Sequence, residues 1–131
     1  MLIIDIFVQS DIIATGSSGG DLTLNAGVDI EISADITTAN GDLNLIANNA
    51  SVTSRGTDQS DIDVTSTLNL GSGDLNITLG NVSSGYSDNV HLGLATINAN
   101  NITLTDSGTG SNTSRVSVLG DLNASSAINV T

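Results

Sequence analysis

One histidine and fourteen carboxylates, set against Arg55, Arg115 and no lysine, bound the chemistry available to this chain of 131 residues. His91 sits in Val90-His91-Leu92, where alternation turns it outward. A nucleophilic triad needs convergent partners, and zinc needs three or four nitrogen or sulfur ligands in a chain that has no cysteine. His91 therefore reads as a surface residue. The densest cluster of charge is Asp58, Asp61 and Asp63 close to Arg55. Carboxylate pairs cleave glycosidic bonds, but an anionic polysaccharide also needs cations to steady it, and two arginines are a thin supply. No catalytic, cofactor-binding or metal-binding residue is expected, and the chain is not expected to be an enzyme.

Calcium is the stronger ligand question, because oxygen-rich turns suit a hard cation. The spacing does not match a known loop: Gly71-Ser72-Gly73-Asp74 places aspartate directly after glycine, and an EF-hand spacing is missing. The aspartates read as corner caps, with a calcium-stabilised fold as the competing expectation. Asn-x-Ser/Thr sequons begin at Asn49, Asn76, Asn81, Asn101, Asn112, Asn123 and Asn129, with Asn76, Asn101 and Asn129 expected on strand faces as acceptors for surface glycans.

The formal charge is −12, which leaves nothing from which to build a phosphate-binding surface, so nucleic acid is excluded as a partner. Anionic lipid is disfavoured for the same reason, and no apolar run nears the roughly 20 residues of a membrane span. Ser, Thr and Asn supply 48 residues, so solubility rests on hydroxyls, amides and mutual repulsion. Leu, Ile and Val supply 37, enough to fold. Phe7 and Tyr86 are the only aromatics, so the interior must be narrow and aliphatic. The opening Met1-Leu2-Ile3-Ile4-Asp5 has no basic region and is not read as a signal peptide; the expectation is a segment of a longer exported protein.

What positions these residues is a repeat. Gly20-Asp21-Leu22-Thr23-Leu24 recurs as Gly41-Asp42-Leu43-Asn44-Leu45, Gly73-Asp74-Leu75-Asn76-Ile77 and Gly120-Asp121-Leu122-Asn123-Ala124. These starts suggest units of 20 to 24 residues, the last interval spanning two of them. Between the glycines, apolar and polar residues alternate, as in Ile30-Glu31-Ile32, Ile62-Asp63-Val64, Leu68-Asn69-Leu70, Ile102-Thr103-Leu104, Val116-Ser117-Val118 and Ile128-Asn129-Val130. No stretch carries helical periodicity. Residues 54–60 are polar and non-alternating, and are expected to protrude as a loop. Residues 1–15 are expected to form a less regular first turn or cap.

Such units cannot bury an apolar face alone, whereas coiling them so that equivalent strands stack makes one core. The expected fold is all-β: a single parallel β-solenoid over residues 1–131, of five or six turns at about 4.8 Å each. Expected inward positions are Leu22, Leu24, Ile30, Ile32, Leu43, Leu45, Val52, Ile62, Val64, Leu68, Leu70, Leu75, Ile77, Ile102, Leu104, Val116 and Val118. At each Gly-Asp-Leu corner glycine allows the turn, aspartate accepts from nearby backbone N–H groups, and stacked asparagines form ladders.

The Gly-Asp-Leu-x-Leu-x-Ala openings (Gly20 to Ala26, and the similar Gly41 to Ala47), the Val-x-Ile-x-Ile strand and the Asn/Thr/Ser-rich turns resemble repeats of filamentous-haemagglutinin-type adhesins over about residues 16–131. The resemblance implies a right-handed β-helix within a large secreted bacterial surface protein, with a role in adhesion, biofilm matrix or a filament. Expected partners are further copies or repeats stacked end to end, and host or matrix glycans. The alternative expectation is a glycan-binding or polysaccharide-cleaving module using the Arg55 to Asp63 loop.

Overall fold

The protein is described here from a computed structural model covering residues 5–48, 61–80, 89–106 and 115–131. The described residues contain thirteen strands and no helix. They are β1 (Ile6–Val8), β2 (Ile12–Ile13), β3 (Leu22–Asn25), β4 (Ile30–Ile32), β5 (Ile36–Thr37), β6 (Leu43–Ala47), β7 (Asp61–Val64), β8 (Thr67–Asn69), β9 (Leu75–Leu79), β10 (Asn89–Leu92), β11 (Thr96–Asp106), β12 (Arg115–Val118) and β13 (Asp121–Val130). Every pairing between them is parallel.

One sheet runs β1-β4-β7-β10-β12; the other runs β2-β5-β8-β11-β9-β6-β3, with β13 on β11. β11 belongs to both arms of the second sheet, pairing β8 through Thr96–Asn98 and β9 through Ile102–Asp106. The strands thus group as five tiers, β1–β3, β4–β6, β7–β9, β10–β11 and β12–β13, each hydrogen-bonded to the next. The two sheets curl around one aliphatic core.

The register stacks like upon like. Ile6, Ile30, Ile62, Val90 and Val116 form one inward column, and Val8, Ile32, Val64, Leu92 and Val118 the next. Ile12, Ile36, Leu68, Ile97 and Leu122 form a third. Leu22, Leu43, Leu75, Ile102 and Ile128 form a fourth, with Leu24, Leu45, Ile77, Leu104 and Val130 beside it. In the second, third and fourth tiers all of these are buried. Branched aliphatics repeated at a fixed spacing fill such a column without voids, and each contributes about 1.5–3 kcal/mol on burial.

Tier length is less even than the expected 20 to 24 residues. Matching positions at the head of the first sheet are 24, 32, 28 and 26 residues apart. The expected loop at 54–60 and the expected inward Val52 lie outside the described residues. Gly120-Asp121-Leu122 is also not a fourth copy of the same corner. Asp121 and Leu122 pair with Thr96 and Ile97, one corner earlier in the tier, while the successors of Leu75 in its column are Ile102 and Ile128. The motif marks a corner, and more than one corner per tier uses it.

At Gly41 and Gly73 the requirement for glycine is close approach. A Cβ at Gly41 would collide with the Gly20 carbonyl oxygen, and one at Gly73 with the Gly41 carbonyl oxygen. The backbone turns left-handed just before, at Ala39 (φ 51°) and Asn40 (φ 82°) in one tier and at Gly71 (φ 61°) in the next.

Candidate docking edge on the fifth tier

Aspartates stand at the heads of the strands and tie each of the first three tiers to the following one. At the head of the first sheet, the Asp29 N–H donates to Asp5 Oδ1 at 3.3 Å, and the Asp61 N–H to Asp29 Oδ1 at 2.8 Å. Asn89 Nδ2 then donates to Asp61 Oδ1 at 2.9 Å. At the second corner Asp11 Oδ1 accepts the Asp35 N–H at 3.1 Å, and Asp35 Oδ1 accepts the Thr67 N–H at 2.9 Å. At the third, Asp21 Oδ1 accepts from Asp42 N–H at 3.0 Å and Asp42 Oδ1 from Asp74 N–H at 2.8 Å. The acceptor is always on the earlier tier and the donor on the later one, so the stack has a direction.

Asp74 ends its column with three donors on one oxygen: Asn100 Nδ2 at 2.9 Å, and the Asn101 backbone N–H and Nδ2 at 3.0 Å each. The hydrogen bond from the Asn100 side chain, joined by those from Asn101, holds the Asp74 carboxyl below its ordinary value against a smaller opposing effect of burial. Between the aspartates, asparagine ladders link Asn76 Nδ2 to Asn44 Oδ1 and Asn123 Nδ2 to Asn98 Oδ1, both at 3.1 Å.

The sequence foresaw aspartates capping their own corners with local bonds. The bonds instead cross between tiers, and half of them are accepted outside the Gly-Asp-Leu motif. A signal was present: Asp5-Ile6, Asp11-Ile12, Asp29-Ile30, Asp35-Ile36 and Asp61-Ile62 mark the first two corners as regularly as Asp-Leu marks the third.

Of the described residues weighed for chemistry, His91 and Asp63 are brought side by side, while Asp61 lies two positions away in the aspartate column. His91 is exposed on β10, in register between Asp63 of β7 and Ser117 of β12. Asp61 is tied into its column, Asp63 points to the outer face, and Arg55 and Asp58 lie outside the described residues. Among the described residues no group of three or more histidines or carboxylates is arranged to hold a metal ion. Of the sequon asparagines, Asn76, Asn101 and Asn123 use Nδ2, the atom a glycan would occupy, in ladder bonds. Asn49, Asn81 and Asn112 lie outside the described residues.

The most distinctive surface is the fifth tier. Val116, Val118, Ile128 and Val130 continue columns that are buried in the three preceding tiers, yet they are 45%, 42%, 49% and 64% exposed. A cavity of about 240 Å³ opens beside them, with Leu79, Val90, Leu104, Val116 and Val130 in its walls and Thr105, Asp106 and Thr131 at its polar side. Arg115 and Asp121 stand exposed at the heads of β12 and β13. Arg115 is in register with Asn89, at the top of the column Asp5, Asp29, Asp61; Asp121 follows Thr67 and Thr96 in the column begun by Asp11 and Asp35. An apolar strip with unpaired backbone groups and a charged rim can accept another strand layer. It offers no reactive constellation.

No helix of the described residues is long and apolar enough to cross a membrane. Comparison with protein-family models, curated proteins and solved structures finds no match to this chain.

Proposed function

We propose that this chain is a structural segment, a right-handed parallel β-solenoid whose tiers form a stiff rod within a large extracellular bacterial surface or fibre protein of the filamentous-haemagglutinin type. Its work is reach and presentation, and its tiers stack end to end. The observation that carries this reading is the set of aliphatic columns, stacked in register and buried through three successive tiers. Directional aspartate ladders support it, because they repeat a tier-to-tier contact that can be extended by more of the same. A β-stack whose described core is wholly aliphatic, in a chain with little positive charge, suits a scaffold better than a pocket for a small molecule.

Electron microscopy and light scattering of the purified chain test the reading. Rods of uniform width whose length grows with concentration are expected. A monodisperse monomer at every concentration would sink end-to-end stacking, and circular dichroism showing substantial helix would sink the solenoid.

A further inference from the structure

The structure assigns a latent modification site to the Asn40-Gly41 step, in the corner between β5 and β6. Stacking of the first three tiers holds off conversion of the Asn40 amide to an acid, and conversion in an opened chain keeps those tiers from closing again. The inference goes beyond the scaffold reading and stands on the geometry of this corner.

Asn40-Gly41 is the only Asn-Gly step in the sequence. Its chemistry is intrinsic. The Gly41 backbone nitrogen, unhindered because glycine has no side chain, bonds to Asn40 Cγ. The Cγ–Nδ2 bond breaks, and ammonia leaves with the proton that Gly41 gave up. Water then adds to one of the two carbonyls of the five-membered imide. Breaking the new bond to Cγ gives aspartate on an unchanged backbone. Breaking the original peptide bond gives isoaspartate, with one more carbon in the main chain. Either product adds a negative charge.

The folded corner withholds each requirement of the first step. Asn40 Oδ1 accepts the Ser72 backbone N–H at 3.0 Å and the Ser72 hydroxyl at 3.2 Å, so the third tier clasps the carboxamide that must swing toward Gly41. Gly71 permits that closeness, since a Cβ there would collide with Asn40 Oδ1. The attacking nitrogen is occupied as well: the Gly41 N–H donates to the Thr38 carbonyl at 3.3 Å, and Gly41 is buried although Asn40 is exposed. Ring closure also requires the peptide between the two residues to rotate. Asn40 is held left-handed at φ 82°, and Gly41 is wedged between tiers, with no room for a Cβ against Gly20 on one side or between it and Gly73 on the other.

The same fit makes the product a poor replacement. Isoaspartate draws the carbonyl that Ser72 clasped into the main chain and lengthens a backbone that already touches the tiers on both sides. The added charge falls two residues from Asp42, within the column Asp21, Asp42 and Asp74, where like charges oppose restacking.

The test holds the chain at mildly alkaline pH, native or unfolded in urea, and follows the Asn40 peptide by mass spectrometry with enzymatic methylation of isoaspartate as a second readout. Conversion in the native chain is expected to be at least about tenfold slower than in urea, because it waits on local opening. Ser72→Ala removes the hydroxyl clasp and should speed native conversion by about fivefold, the factor supplied by one ordinary hydrogen bond, while leaving the rate in urea unchanged. Ser72 is exposed, and unchanged circular dichroism establishes that the variant folds; the comparison in urea needs no variant. Isoaspartyl chain recovered from urea and refolded should melt below both the wild type and Asn40→Asp, which carries the charge on a backbone of normal length. Native conversion as fast as in urea, or a Ser72→Ala rate equal to the wild-type rate, would overturn the protection by stacking. An isoaspartyl chain that regains the wild-type melting temperature would overturn the block to closing.

Discussion

The third and fifth tiers are made from the same kinds of residue and behave as opposites. In the third, Ile62, Val64, Leu75 and Ile77 have at most 1% of their surface exposed; in the fifth, their column partners Val116, Val118, Ile128 and Val130 are 42–64% exposed. Alternating pattern and inward orientation are shared. The difference is the tier above: β7 and β9 are paired on both sides, whereas β12 and β13 are paired on one. In a stack of this kind burial belongs to the interface between tiers, so stability is a sum over neighbours, and a tier paired on one side gains less than one paired on both.

The largest effect should come from breaking the interior side of that contrast. Leu75→Ala removes a side chain packed between Leu43 and Ile102 and should cost about 2–5 kcal/mol, whereas Ile128→Ala, in the same column but half exposed, should cost less than about 1 kcal/mol in the unassembled chain. Chemical denaturation of the two variants side by side measures the gap, and equal losses would remove the neighbour-based account of burial. Gly73→Ala should be comparably severe, since the added methyl meets the Gly41 carbonyl of the tier below and neither backbone can yield without disturbing the ladder. Thermal melts would reveal it; a wild-type melting temperature would show that the tiers can spread.

A smaller loss, about 1–3 kcal/mol, is expected for Asp74→Ala, which leaves the Asn100 and Asn101 donors without their shared acceptor. The pH dependence sharpens the same point. Because the folded Asp74 carboxyl lies below its reference value of 3.8, the stability it contributes is fully present above that value. It is lost as pH falls through the lower folded value. Melting curves taken at neutral pH and again near the folded value should fall further for the wild-type chain than for Asp74→Asn, which cannot titrate there. Identical drops would show that the ladder bonds do not depend on this charge. The smallest effect belongs to the outer face: His91→Ala, exposed between Asp63 and Ser117, should leave stability within about 0.5 kcal/mol.

Much of this architecture was legible in the residues themselves. The Gly-Asp-Leu corners at Gly20, Gly41 and Gly73 stack in register, and the alternating runs from Ile30, Ile62 and Ile102 contribute buried columns, because a period of two and a corner glycine are local properties that need no partner to be read. Short strands were harder. Ile12–Ile13 and Ile36–Thr37 are too brief to show alternation, and only the Asp-Ile step ahead of each marks them. Leu94 follows the alternation of Val90 and Leu92 yet is 84% exposed, because β10 ends at Leu92 and the corner that follows breaks the alternation, burying Ala95 instead.

By composition and periodicity alone, this chain was expected to be an aliphatic, acidic, all-β fold of short strands, which hides its Leu, Ile and Val while leaving so many hydroxyls and amides outside. Two matters waited for the tertiary structure: which corner of one tier lies on which corner of the next, and which inward residues end up covered. Gly120-Asp121-Leu122 shows the first, carrying the letters of one corner in the register of another. Val116 and Ile128 show the second. Both depend on contacts between residues more than twenty positions apart, and a local pattern cannot encode how long the chain travels before it returns.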